Sequence, residues 1–377
     1  MKKLGNIIPF LTFIIILIII SSMSIFEPEK TFSSMENRTL KTMPKFSYKS
    51  VKKGRFQKKY ETYLSDQFPA RNTWIKVQTK TELLLGKRDS NNVYFGKDNY
   101  LLEKYTENDF DKKQVKKNIK ALSKFVEQSQ KTTQVKVMIV PSKTHVMHNY
   151  LPAFAESYDE EIFYDKLENA LPKNVLIPIT ETLSEHNNEE IYYRTDHHWT
   201  TLGAWYGYES YINACEKNVK NENISKKENL QTVTENFLGT TYSKVNIYTK
   251  KDKIQIYTPE CEMKVIYNLG EKTENGFYQM DYLKKKDKYS IFFGGNQAVL
   301  EISGGIKNGR TLLIFKDSFA NCLIPFLTED YEKVIVIDLR QLNVGKTAIM
   351  QQFKPTDVLV LYNTIQFFQD IEFAIKK

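Results

Sequence analysis

From Leu4 to Phe26 the chain carries no charged residue, and from Ile7 to Ile20 it is dense in Ile, Leu and Phe. A segment without a polar face cannot lie on a soluble core as an ordinary surface helix. It is long enough to cross a bilayer, which takes about 20 apolar residues. Lys2 and Lys3 precede it, and the first acidic residue after it is Glu27. Positive charge on that side predicts a cytoplasmic N-terminus and an exported remainder. The tract Ser21-Ser22-Met23-Ser24 offers no Ala-x-Ala-like cleavage site, which favours an uncleaved anchor at 1–26 over a signal peptide.

The exported part is expected to fold around a large core, because 41% of the chain is hydrophobic and 13% aromatic. Three Cys in 377 residues cannot form a disulfide framework, so Cys215, Cys261 and Cys322 are read as packed thiols. The excess of 54 Lys+Arg over 45 Asp+Glu suits work beside a polyanionic wall or phospholipid headgroups. No nucleic-acid partner is read from it.

Residues 27–110 read as a stem with helical and hairpin segments. Apolar spacing predicts helix from Phe56 to Leu85, divided at Pro69, and the stretch Asn92 to Leu102 predicts a hairpin turned at Gly96 to Asn99. From 111 to 377 strand and helix alternate. Helices are predicted at Asp111–Gln130 and Asp159–Leu171. Strands are predicted at Val135–Val140, Val175–Ile177, Thr311–Phe315, Lys333–Ile337 and Asp357–Leu361. Short β-branched runs separated by helical lengths indicate an α/β domain, a parallel sheet with helices on both faces. Between about 216 and 309 alternating strand candidates, such as Lys253–Tyr257 and Ser290–Phe293, predict a β-rich insertion.

The densest polar-aromatic cluster is Arg194-Thr195-Asp196-His197-His198-Trp199-Thr200. Leu202, Trp205, Tyr208 and Ile212 then recur at helical spacing, with Thr200 or Thr201 as N-cap. In an extended segment, residues i and i+2 share a face. Asp196 and His198 would therefore point together and His197 away. A carboxylate beside an imidazole fixes its tautomer, as a general base requires. The nucleophile candidate is Ser318, which follows the buried-strand pattern Arg310 to Phe315 at a strand-to-helix turn. There a hydroxyl is exposed near helix N–H groups that can stabilise an oxyanion. The alternatives at this point are a surface Asp-x-His turn and a Ser that is only an N-cap. His145, His148 and His186 read as surface or core positions.

At these residues the sequence resembles the DHHW family, whose name Asp196 to Trp199 spell. That family is similar to the alginate O-acetyltransferases, which carry an SGNH-hydrolase-like domain. The likeness extends over Glu36-Asn37-Arg38-Thr39-Leu40, Asp66-Gln67-Phe68-Pro69 with Arg71, Pro141-Ser142-Lys143, Phe237-Leu238-Gly239-Thr240 and Lys316-Asp317-Ser318. The resemblance implies an SGNH-hydrolase-like sheet, with Asp196 as orienting acid, His198 as base and Ser318 as acylated nucleophile. It also implies an oxyanion hole, for which Asn363, Arg340, Asn321 and Lys143 are the side-chain candidates and the Ser318 N–H the backbone one. Many SGNH-type relatives have Gly before Asp-Ser; here Lys316 stands in that place.

The implied activity is O-acetyl transfer to a cell-surface polysaccharide, fed by a membrane-bound acyltransferase as acetyl donor. No cofactor and no metal are implied. An O-acetylesterase would use the same residues, and a non-catalytic wall-binding module is the other alternative. Asp-His-His also opens the motif of metal-dependent DHH phosphoesterases. Those enzymes need further Asp motifs at earlier strand ends, where this chain has Pro141-Ser142-Lys143.

Overall fold

A computed structural model of the chain describes residues 2–33, 35, 38–215, 226–247 and 249–376. Glu36 and Asn37 of the expected entry motif, and 216–225 at the start of the expected insertion, lie outside them. The chain divides into two compact units, Met1–Lys87 with Ser243–Ile247, and Arg88–Tyr242 with Tyr248–Lys377.

In the first unit α1 (Lys2–Phe26) is, among the described residues, the one helix long and apolar enough to cross a membrane. A short ladder, β1 (Phe32–Ser33) with β2 (Arg38–Thr39), precedes α2 (Tyr48–Lys52), α3 (Arg55–Asp66) and α4 (Arg71–Leu84). Two of the sequence's motif segments meet here. The Arg38 guanidinium grips the Asp66 carboxylate at 3.0 and 2.5 Å, and the Lys41 N–H adds a third bond at 2.8 Å. The Gln67 amide donates to the carbonyls of Lys30 and Lys41 at 2.7 and 3.0 Å. The entry ladder is thereby fastened to the end of α3, and Pro69 lies within the break that separates α3 from α4.

The second unit opens with β3 (Asp89–Ser90), β4 (Val93–Phe95) and β5 (Leu101–Glu103), turned through Lys97–Asn99. Then come α5 (Lys112–Ser129), β6 (Gln134–Val140), α6 (Lys143–Val146), α7 (Glu161–Ala170), α8 (Ile179–Glu185) and α9 (Thr201–Ala214). The remaining strands are β7 (Leu230–Phe237), β8 (Asp252–Tyr257), β9 (Lys264–Tyr267), β10 (Lys272–Asn275), β11 (Val299–Ser303), β12 (Thr311–Lys316), β13 (Lys333–Ile337) and β14 (Asp357–Asn363).

A 7-stranded sheet runs in the order β10-β9-β11-β13-β12-β14-β6. The strands β13, β12, β14 and β6 are mutually parallel, whereas β11, β9 and β10 each pair antiparallel. Both faces are covered. Leu312 and Ile314 of β12 join a core with Leu183 of α8 and Trp205 and Tyr208 of α9. Their neighbours Leu313 and Phe315 join a second core with Phe125 of α5 and Phe163 of α7. Alternate residues facing opposite cores is the reason these strands read as unbroken apolar runs.

Within the expected insertion, β9, β10 and β11 complete the main sheet, and β7 and β8 pair as a two-stranded sheet of their own. Three expectations are corrected. Residues Lys288–Ile291 form a 3-10 turn instead of a strand. Around Val175–Ile177 there is only a single parallel bridge, Val137 to Leu176, because Pro172 and Pro178 bracket the segment and cannot donate to a ladder. Among the thiols, Cys215 and Cys322 are buried as expected but Cys261 is exposed.

Candidate active site

At or just beyond the C-terminal ends of the parallel strands lie Lys143, Ser318, Arg340 and Asn363, whereas Asp196 and His198 come from the bends before α9. Past β12, Asp317 caps a 3-10 turn, Ser318–Cys322. Its carboxylate accepts from the N–H of Phe319 at 2.8 Å and of Asn363 at 2.7 Å, tying the turn to the end of β14. Asp317 being the cap, the Ser318 hydroxyl is not spent on capping. It lies 2.7 Å from His198 Nε2, and His198 Nδ1 lies 2.5 Å from Asp196 Oδ1. Folding thus brings together the alcohol, imidazole and carboxylate that the sequence placed on two distant segments.

Asp196 is 1% exposed. Its Oδ1 also accepts from the His198 N–H at 3.0 Å, and its Oδ2 from the Thr240 N–H and hydroxyl at 2.7 and 2.9 Å. Burial acts to raise its pKa, but the His197 and His198 imidazoles and the donated hydrogen bonds outweigh it. They hold the carboxyl well below the usual range. An ionised carboxylate only accepts, so His198 carries its proton on Nδ1 and presents Nε2 to Ser318 as an acceptor.

Thr240 and Gly239 belong to the Phe237-Leu238-Gly239-Thr240 segment, quoted from the sequence without a role. A Cβ on Gly239 would sit 2.3 Å from both Cβ and Oδ2 of Asp196. Glycine is required there by close approach. Tyr289 was not anticipated at all. Its ring stacks on His198 with centroids 4.0 Å apart, and its hydroxyl donates to the Ser318 carbonyl at 3.1 Å. His197 does not point away as an extended segment would have it. Residues 194–198 form bends, so its ring lies against His198 at 3.9 Å and its Nδ1 meets the Thr240 hydroxyl at 2.7 Å.

The side chains expected to stabilise the oxyanion or bind substrate are engaged elsewhere. Asn363 caps the helix after β14 through its Oδ1, and its Nδ2 donates to the carbonyls of Val140 and Pro141 at 3.0 and 3.3 Å, which occupies both N–H bonds. Lys143 is buried and its ammonium donates to backbone carbonyls. Asn321 accepts from Lys316 Nζ at 2.8 Å and donates to Asn296 at 3.3 Å. Arg340 is clasped by Asp338 at 2.8 and 2.6 Å. Lys316 lies wholly inside, and burial pulls its ammonium down to about 8 against the opposing field of Asp338. Outside the site, His145 meets Glu161 and His148 the carbonyl of His145. His186 stacks on Tyr206.

Asp196, His197 and His198 present atoms within 4.8 Å of one another that could ligate a metal ion. The Asp196 oxygens, however, already accept from Thr240 and His198, and His198 Nε2 faces Ser318. The donor set fits a hydrogen-bonded relay; a metal would have to break it.

The model of the family described as DHHW protein matches residues 130–337. The chain belongs to the DHHW family. Among solved structures it is similar to a DHHW family protein from Eubacterium siraeum DSM 15702, 25% identical with TM-score 0.64, over 76% of this chain and 96% of that one. It is also similar to Bacillus cereus PatB1, 20% identical with TM-score 0.62, over 76% and 99% of the two chains. The same PatB1 with a sulfonyl adduct gives 21% and 0.61, over 77% and 99%. The PatB1 likeness speaks to the fold alone. No curated protein matches the sequence.

In this DHHW protein the four letters form one contact unit. Asp196 holds His198, His197 packs on it, and Trp199, fully buried, donates from Nε1 to the Phe319 carbonyl at 2.8 Å. The motif therefore reaches across to the turn that carries Ser318. Behind it Thr200, not Thr201, caps α9, accepting from the Gly203 N–H at 3.2 Å.

Proposed function

We propose that this DHHW protein is an exported, membrane-anchored O-acetyltransferase acting on a cell-surface polysaccharide through an acyl-enzyme on Ser318, in an SGNH-hydrolase-like domain. The observation that carries the reading is the 2.7 Å contact between Ser318 Oγ and His198 Nε2, with an ionised Asp196 behind it. His198 takes the hydroxyl proton as Oγ attacks an acetyl carbonyl. The oxyanion forms at the start of the 3-10 turn, where the Ser318 N–H is the proposed donor. Collapse of the intermediate leaves acetyl-Ser318 and expels the donor's oxygen with the proton from His198. The imidazole then deprotonates a glycan hydroxyl, which attacks the acetyl group and restores Ser318.

The apolar α1 supports anchoring at 1–26, with residues 4–26 in the membrane and the catalytic unit outside the cytoplasm. An exported site is out of reach of cytosolic acetyl donors, so a membrane-bound acyltransferase is the proposed source of acetyl groups. The family resemblance supports a polysaccharide acceptor.

The test uses the full chain in detergent. A sulfonyl fluoride should label Ser318, and an activated acetyl ester should add one acetyl mass to it. Discharge of that acetyl to added glycan establishes transfer, and discharge to water alone establishes an esterase. Labelling that survives Ser318→Ala refutes the nucleophile.

A further inference from the structure

The bend Tyr193–Asp196 delivers the carboxylate to His198, and it is held by opposite charges. Lys143, next after Ser142 at the start of α6, is 3% exposed. Its Nζ donates to the carbonyls of Tyr193 at 3.1 Å, Arg194 at 3.3 Å and Asp196 at 2.6 Å. The carboxylate of Asp252, at the start of β8 and 4% exposed, accepts from the N–H of Arg194 and of Thr195, both at 2.8 Å. It takes the Thr195 hydroxyl as well, at 2.5 Å.

A buried ammonium is expensive unless it finds acceptors, and a buried carboxylate unless it finds donors. Here each finds them in the same peptide units: the cation collects the oxygens of the bend and the anion its N–H groups. Peptide planes pinned on both edges cannot rotate. The Asp196 carbonyl takes the shortest of the three Lys143 bonds, two residues before the imidazole that its carboxylate must meet.

We infer that Lys143 is a positioning residue of this site, which with Asp252 clamps the bend so that Asp196 stands at bonding distance from His198. This rests on the reading of Asp196, His198 and Ser318 given above. It also replaces the expectation that Lys143 contacts substrate. The nearest alternative is an oxyanion role, in which Lys143 would act on the substrate without altering the Asp196–His198 bond.

The experiment compares wild type, Lys143→Met and Lys143→Arg as full-length proteins, with Asp252→Asn as the second variant should Lys143→Met not fold. The expected result for Lys143→Met is a fall in kcat of about 10²-fold for an activated acetyl ester, the size of effect that a 1 Å misplacement produces. KM should hold, the low-field proton resonance of His198 Nδ1–H should move or vanish, and Lys143→Arg should restore part of both. Asp252→Asn should do the same as Lys143→Met, and the double variant no more than either, because both remove one clamp. Unchanged kcat and resonance in the folded variants would overturn the inference. A fallen kcat with an unmoved resonance would overturn it too, in favour of substrate contact. Failure of the underlying reading is separate: wild type itself would then take no sulfonyl label on Ser318.

Discussion

Replacing Gly239 with Ala perturbs the site while leaving the identities of Asp196, His198 and Ser318 unchanged. The new Cβ would stand 2.3 Å from Asp196 Cβ and Oδ2, whereas carbon contacts settle at about 3.5–4.0 Å. Gly239 does not have positive φ, so alanine brings no backbone strain and the whole effect is steric. Relief requires Asp196 or the 239–240 peptide to retreat by roughly 1 Å or more. Either movement breaks the Thr240 bonds to Oδ2 at 2.7 and 2.9 Å and swings Oδ1 off His198 Nδ1. Misplacement of that size costs about 10²-fold in turnover, and the overpacking about 1–3 kcal/mol of stability. Initial rates with an activated acetyl ester, the rate of sulfonyl fluoride inactivation, and a thermal melt together measure it. A folded Gly239→Ala protein that matches wild type in both rates would refute the argument that glycine is there to admit Asp196.

Loss of Ser318 or His198 should cut acetyl turnover by about 10³–10⁴-fold or more, read with Ser318→Ala and His198→Ala in the same ester assay. Trp199→Phe removes the N–H donor to the buried Phe319 carbonyl and leaves it the weak Cys322 thiol at 3.7 Å as side-chain donor, so denaturant melts should show a loss of about 1–3 kcal/mol. The folded-state pKa of Asp196 is depressed, so its stabilisation is complete above the unfolded value near 3.8 and is lost as pH falls from there toward the folded value. Melts taken into the acid range should steepen below that point in wild type and flatten in Asp196→Asn. Chelators should leave turnover unchanged; a loss restored by a divalent cation would revive the phosphoesterase alternative.

What the sequence made legible was local. Asp196 and His198 stand two residues apart, and Ser318 follows its strand closely, so spacing made them candidates and the family resemblance supplied their roles. Their partners come from remote loops. Thr240 and Tyr289 had no pattern that could link them to position 198, and Asp252 stood just before the expected strand Lys253–Tyr257 with no role of its own. The parallel half of the sheet showed itself because each strand is apolar on both faces. β10, written Lys-Thr-Glu-Asn, is a polar edge strand and gives no such signal. Lys143 and Asn363 were placed at the right edge of the sheet, but their side chains bond to backbone carbonyls there. Polarity at a strand end does not disclose whether the group meets solvent or backbone.

The edge strand β6 bonds along its length to β14, with Gln134 opposite Asp357 and Val140 opposite Asn363. Synthesis delivers the first partner long before the second. Until the last strand emerges, β6 must wait with an apolar flank uncovered, and Ser318 stands on a turn whose tether to Asn363 does not yet exist. Closing so long a loop is slow and exposes the nascent chain to aggregation. The turn that carries the nucleophile is therefore tethered only once β14 is in place, and a truncation before that strand that spares every reacting group would still leave the turn loose.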